Sequence, residues 1–305
     1  MVLSVIIPTC NAANWLDEQL TRLSSQSLPP DEILVVDSAS TDDTRAIACN
    51  FPLVRFIEIE KEAFDHGGTR SMAARQCRGD ILVFFTQDAM PANKHCLALL
   101  TEPLRQEGRV AVSYGRQLPH ADAAPFAAHL RLFNYPAAYE APRCFADRKR
   151  MGLHTIFCSN SFAAYKKEAL IAVDFFPEQL LFGEDTFTVA KIVELGYCVQ
   201  YMHKAQVFHS HNYTIMDEVK RYFDIGAFHA AAPELLSTYG GVGGAGRRFV
   251  IAELKYLYAH KLLQLVPLSL ARTALKLLAY NLGRQAQYLP LPLRRSLSMR
   301  PSWWQ

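Results

Sequence analysis

Four apolar, β-branched runs, at residues 3–8 (LSVIIP), 32–37 (EILVVD), 54–59 and 81–86 (ILVFFT), each stop at a turn signal. Uninterrupted runs of this length are the pattern of strands buried on both faces. Between the first two, Leu16, Leu20 and Leu23 recur at helical spacing, with Asn14 placed to cap that helix. Thr41-Asp42-Asp43 opens a second helix ending near Asn50, and a third runs from Gly67 to Cys77. Strands alternating with helices of about ten residues predict βαβ units and a mainly parallel α/β sheet. In such sheets ligands bind beyond the carboxyl ends of the strands. The loops found there are polar: Pro8-Thr9-Cys10-Asn11, Asp37 to Asp42, Asp65 to Arg70, and Thr86-Gln87-Asp88.

Past residue 110 the periodicity weakens, with Pro119, Pro125, Pro136 and Pro142 reading as an irregular insertion over the site to about residue 150. Residues 155–165 read as a strand pair, and residues 182–195 as a helix that opens on Glu184-Asp185 and ends at Gly196. Val199 to Phe208 is strand-like and leads to His209-Ser210-His211. Residues 216–232 and 247–288 read as helices, with a hinge at Gly240–Gly246.

Half of the 305 residues are hydrophobic and 20% are charged, which excludes a disordered chain. The seven cysteines are scattered with no CxxC pair, so neither a disulfide framework nor a zinc cluster is expected, and a reducing cytosol fits. The first residues carry no basic leader, so no secretory signal is expected. The net charge of +3 conceals +9 over residues 246–305 against −6 over the remainder. Such asymmetry points to an anionic partner for the basic end. There Phe249, Leu254, Leu257, Tyr258, Leu262, Leu265, Leu275 and Leu278 alternate with Lys and Arg, ahead of Trp303-Trp304. Basic amphipathic helices of this kind suit an anionic membrane surface. The longest uncharged stretch, 262–271, is too short and contains Pro267, so it cannot span a bilayer. A helix pair packed on the core, or a homo-oligomer contact, is the competing reading. Nucleic acid is not expected, because the basic residues lie among aliphatic ones.

SVIIPTCN, EILVVDSASTDDT and FGEDTFTVAKIVELGY, in that order, resemble the family 2 glycosyltransferases of GT-A fold, a Rossmann-like sheet sandwiched by helices. DHGGTR and TQDA resemble the rhamnosyltransferase branch of that family. The resemblance covers residues 1–212 and implies a nucleotide-sugar-binding catalytic domain there, with 213–305 as a helical, basic C-terminal extension. It implies that Pro8, Thr9, Asn11, Asp37 and Ser38 receive the base and ribose. His66, Gly67 and Arg70 would meet the diphosphate, Gly67 through free N–H groups at a helix start. Thr86-Gln87-Asp88 stands where the family has DxD. With the first carboxylate replaced by Thr86, Gln87 and Asp88 remain for phosphate and a divalent cation, Mg²⁺ or Mn²⁺, and His209 (or His211) would be a second metal ligand. Asp185 would be the catalytic base and Glu184 an acceptor-orienting carboxylate, with Ser159 and Asn160 on the acceptor side.

The activity so implied is inverting transfer of L-rhamnose from dTDP-L-rhamnose to a lipid-linked cell-surface glycan, by a cytoplasmic enzyme held at the inner face of the cell membrane. The alternatives are a UDP-hexose donor on the same fold, or a non-catalytic nucleotide-binding or membrane scaffold protein.

Overall fold

The computed structural model describes residues 1–240 and 244–304; Gly241, Val242 and Gly243, the centre of the expected hinge, lie outside the described residues. The elements in chain order are β1 (Leu3–Thr9), α1 (Ala13–Ser24), β2 (Glu32–Ser38), α2 (Thr44–Cys49), β3 (Val54–Ile59), α3 (His66–Gln76), β4 (Ile81–Phe85), β5 (Met90–Pro91) and α4 (Cys96–Arg105). There follow β6 (Val110–Leu118), α5 (Pro125–Asn134), β7 (Arg143–Cys144), α6 (Arg148–Met151), β8 (Phe162–Lys166), α7 (Lys167–Ala172), α8 (Glu184–Glu194) and β9 (Cys198–Phe208). The chain closes with α9 (Ile215–Ala231), α10 (Pro233–Tyr239), α11 (Ala245–Ala259), α12 (Val266–Arg284) and α13 (Leu291–Leu297).

The sheet order is β3-β2-β1-β4-β8-β6-β9-β5, with β7 also paired to β9. The four strands visible in the sequence are parallel, as expected. The far half is mixed: β8 runs antiparallel to β4 and β6, while β9 is parallel to β6 and antiparallel to β5 and β7. Alternate side chains of the central strands enter opposite layers. Val5, Ile7, Val35 and Val83 pack under Leu16, Leu20 and Leu23 of α1, whereas Ile6, Leu34, Val36 and Phe84 share a layer with Val189, Ile192 and Val193 of α8.

Several local expectations are corrected. Ala12, not Asn14, is the N-cap of α1, and it makes no side-chain cap bond. The supposed insertion contains a nine-residue strand and a helix, β6 and α5. The polar Ser113, Arg116 and Gln117, with a register shift between Gly115 and Arg116, hide β6 in the sequence. Within 155–165 only Phe162 to Lys166 is a strand, and a short 3₁₀ turn spans Gly152–Ile156. The long helix expected over 247–288 is two, because Lys261 turns at φ 59° and Pro267, lacking an N–H, starts α12 rather than continuing α11. A disulfide joins Cys144 to Cys198, with Cα atoms 4.4 Å apart. The β7–β9 pairing sets these residues directly opposite one another, a juxtaposition that their 54-residue separation conceals.

The C-terminal helices pack on the α/β layers. Arg272 of α12 donates to Glu218 of α9 at 2.9 Å. His129 of α5 meets Glu253 of α11 at 3.5 Å, beneath Phe249.

Candidate active site

The β1–β2 register places Thr9 beside Asp37. The Thr9 hydroxyl donates to Asp37 Oδ1 at 2.8 Å, and the Ser40 hydroxyl and N–H donate to Oδ1 and Oδ2 at 2.6 and 2.8 Å. Two lone pairs per carboxylate oxygen leave Oδ2 with capacity for one further donor. Asn11, at φ 50°, accepts from Thr41 N–H at 2.9 Å and donates its own N–H to Ser40 at 2.7 Å. Pro8 to Asn11 and Asp37 to Thr41 are thereby one braced unit, with Ser38 buried in it. Gln87 braces the same unit: its amide bonds both ways to the Cys10 backbone, at 2.8 and 3.1 Å. That engagement braces the turn and leaves Gln87 one amide N–H not taken by Cys10.

The start of α3 also departs from expectation. Asp65 caps it, accepting from Gly68 N–H at 2.8 Å and from Gln179 N–H at 3.3 Å. A Cβ on Gly67 would stand 1.8 Å from the Pro177 carbonyl oxygen. Gly67 therefore allows close packing of α3 against the 177–179 loop, and of the N–H groups at this helix start that of Gly68 is taken by Asp65. His66 and Arg70 do reach the site. Burial, then the Arg70 charge, pushes the His66 imidazole down to about 4, so it is neutral near pH 7. Arg70 is buried and donates to Glu184.

Gly183, at φ 79°, turns the chain into α8 where a Cβ would strike the Phe228 ring at 2.6 Å. Asp185 Oδ1 accepts from Thr186 N–H at 2.7 Å and Oδ2 from Asn160 N–H at 3.3 Å. Burial first, and the Glu184 charge second, raise Asp185 to about 6. Asn160 is held by Tyr165 OH at 2.8 Å, and Ser159 accepts from Gln117 at 3.2 Å.

Asp88 faces two histidines, His209 Nε2 at 3.5 Å and His211 Nδ1 at 3.6 Å, and ligand atoms of all three lie within 4.8 Å of one another. Both histidines, rather than one, are turned to the carboxylate. Burial, then Arg131, lowers the His209 pKa; burial also lowers His211 against the opposing pull of Asp88. Neutral imidazoles are the ligand form. Gln117, which the sequence reading missed inside the unrecognised β6, accepts from Arg131 at 2.9 Å and meets His209 Nδ1 at 2.8 Å. A proton on Nδ1 leaves Nε2 as the lone pair toward Asp88, the arrangement a metal requires. One carboxylate and two imidazoles fit a divalent cation.

These groups line one cavity of 720 Å³. His66, Arg70, Asp88, Ser159, Asn160, Glu184, Asp185, His209 and His211 are on its wall, joined by Arg131 and Arg221. Pro8, Thr9, Asn11 and Asp37 are not. They form the neighbouring braced unit at the strand ends. Arg221 lies over the Phe182 and Tyr213 rings at 5.2 and 5.8 Å. It belongs to α9, and Phe249, Glu253 and Lys276 of α11 and α12 also contribute to the wall. The C-terminal region thus completes the cavity. No periodicity in the sequence distinguishes these residues from ordinary amphipathic helix positions.

The sheet carries a carboxylate-centred turn at its strand ends, beside a cavity that holds a buried carboxylate and a carboxylate–histidine cluster, and this is the layout of a sugar-transferring enzyme of GT-A architecture. The chain belongs to glycosyl transferase family 2, whose profile matches residues 4–173. It is 40% identical over 309 residues to the O-antigen chain rhamnosyltransferase RfbN of Salmonella typhimurium, covering 100% of this chain and 96% of that protein. It is 41% identical over 304 residues to the O-antigen chain rhamnosyltransferase WbaN of Salmonella anatum, covering 99% and 95%. In fold it resembles the mannosyltransferase PcManGT of Pyrobaculum calidifontis, solved with GDP-Man and Mn²⁺, with TM-score 0.60, 22% identity, and coverage of 99% of this chain and 87% of that one.

Proposed function

We propose that the protein transfers L-rhamnose from dTDP-L-rhamnose, with inversion, to a lipid-linked polysaccharide acceptor of the O-antigen kind. The observation that carries the reading is the shared cavity: Asp185, tuned to about 6, and the Asp88–His209–His211 cluster face the same space. The full-length likeness to two O-antigen rhamnosyltransferases supports the sugar and the acceptor class.

In this reading the acceptor hydroxyl gives its proton to Asp185 as its oxygen bonds to the anomeric carbon. The bond from that carbon to the β-phosphate oxygen breaks, and dTDP departs with the electron pair. Asp88, His209 and His211 would hold a divalent cation, which would supply charge neutralisation for the departing diphosphate. Arg131 and Arg221 add fixed positive charge to the same wall, where Arg70 offsets Glu184 and faces the diphosphate. Asp37, through its free Oδ2 lone pair, accepts from the pyrimidine N3–H, with Pro8, Thr9, Asn11 and Ser38 around base and ribose. Ser159, Asn160 and Glu184 lie on the acceptor side, and 1–212 and 213–305 act as catalytic domain and closing extension.

A site of action at a membrane surface is supported by a solvent-facing aliphatic surface. Leu268, Leu270, Leu275, Leu277 and Leu278 of α12 are exposed, as are Arg247, Arg248, Lys255 and Lys261. Among the described residues no helix is long and apolar enough to cross a membrane. Not every residue counted toward that face belongs to it: Leu257 and Trp304 are buried, and Trp303 bonds to Gln179 O at 3.1 Å.

Thermal unfolding with a panel of nucleotide sugars tests the donor. At ~100 times its dissociation constant the true donor adds about 2.7 kcal/mol. Protection and turnover by dTDP-L-rhamnose are expected; protection by a UDP-hexose alone replaces the donor.

A further inference from the structure

A second cavity, of 990 Å³, lies behind the loop that delivers the catalytic carboxylates. Residues 61–65, the 179–181 loop, the ends of α9 and α12, and the C-terminal tail enclose it. It shares Leu181 and Arg300 with the catalytic cavity, so the two meet two residues before Gly183.

Its chemistry is that of a saccharide site. Trp303, partly exposed, lines it with an indole whose apolar surface suits the C–H face of a pyranose, and Trp304, buried beside it, is set 4.8 Å away at 86°. Trp304 is 6% exposed, and its Nε1–H has no hydrogen-bond partner among the described residues. Gln287, Arg284 and Glu62 stand exposed at the rim, as donors and acceptors spread around the opening. A phosphate would want a tight cluster of free cations, and of the four on this wall two are engaged, leaving Lys61 and Arg284 at the rim. Arg294 donates to the Leu289 and Gln287 carbonyls at 2.7 and 2.8 Å. Arg300 donates to Leu180 O at 3.2 Å and lies 3.8 Å from Asp65. Glu62 and Asp65 oppose an anion further.

We propose that this cavity binds a saccharide unit of the acceptor chain, remote from the hydroxyl that Asp185 activates. The inference rests on the glycan-acceptor reading above. It gives the enzyme a means of using contacts far from the reacting atoms to hold the growing chain in register. Because the tail and α12 build the cavity, they also select chain length.

Two of the three tryptophans lie at this site, so intrinsic fluorescence reports it directly. The full chain, with dTDP present to fill the donor site, is titrated with the methyl glycosides of glucose, galactose, mannose and rhamnose, and separately with inorganic pyrophosphate. A saturable change with at least one glycoside is expected, weakened about ten-fold in Arg284→Gln/Gln287→Ala, the effect of losing one good contact. Both substitutions are at exposed rim positions, and circular dichroism verifies that the variant folds. The same variant lowers by about ten-fold the ratio of kcat/KM for an oligosaccharide-lipid over a monosaccharide-lipid acceptor. A response to pyrophosphate alone overturns the proposal in favour of the acceptor's lipid diphosphate. No response to either probe overturns it outright. If dTDP-L-rhamnose is not turned over, the donor reading fails; if it is turned over with an unchanged acceptor ratio, only this inference fails.

Discussion

Arg70 and Glu184, 114 residues apart in the chain, form a buried ion pair beside Asp185. The pair fixes the Glu184 charge next to a second carboxylate that burial already disfavours as an anion. Two adjacent acids therefore differ in role: one is neutralised by an arginine, and the other is left poised near neutrality.

Asp185→Asn is expected to keep donor affinity and lower kcat by ~10²–10⁴, the loss typical of a general base. Single-turnover kinetics with a calorimetric donor titration reads both. A variant with a third or more of wild-type turnover moves the base role elsewhere.

The pH profile follows from the same carboxyl. Asp185 is raised to about 6, so the basic form is complete above that pH and kcat/KM falls as pH drops through it. Removing the like charge with Glu184→Gln lowers the Asp185 pKa and moves the acid limb to lower pH. An acid limb of the wild type near ~4, the ordinary carboxylate value, contradicts the assignment.

For the cation, Asp88→Ala should make dTDP-sugar binding indifferent to EDTA, matching chelated wild type. Gln117→Ala should weaken Mn²⁺ binding by ~10–100-fold, the usual effect of losing an outer partner of a ligating histidine. Calorimetry with Mn²⁺ alone measures it without turnover. Cation-independent binding and turnover by the wild type would leave Arg70, Arg131 and Arg221 as the diphosphate's counter-charge.

Flotation with anionic vesicles tests the exposed face. Binding should fall at high salt and weaken when Arg247, Arg248, Lys255 and Lys261 become Gln, since each basic residue near such a surface contributes about 1 kcal/mol. Wild type that ignores anionic vesicles removes the membrane from the reading.

The near half of the fold was legible because β1 to β4 are uninterrupted apolar runs, and their loops hold Asp37, Asp88 and Arg70. Glu184-Asp185 was legible as an acidic pair at a helix start. The far half was not. β6 carries Gln117 and Arg116 within a buried strand, which breaks the apolar run, and Cys144 meets Cys198 only through a two-residue strand. At Gly67 the sequence shows a glycine at a helix start but not the Pro177 carbonyl that leaves no room for a Cβ there. Arg221 and Lys276 were hidden among residues that look like the polar face of a surface helix.

Two of the contacts that define the site are long in sequence: Arg70 to Glu184 spans 114 residues, and His209 to Gln117 spans 92. Contacts of that separation carry a large loop-closure cost, so the site exists only when the far half, β6 to β9, is docked on the β1–β4 frame. On heating, a region held by a few distant polar contacts opens at lower cost than the packed sheet. Activity should therefore disappear several degrees before the far-ultraviolet signal does, leaving a folded scaffold without a working site.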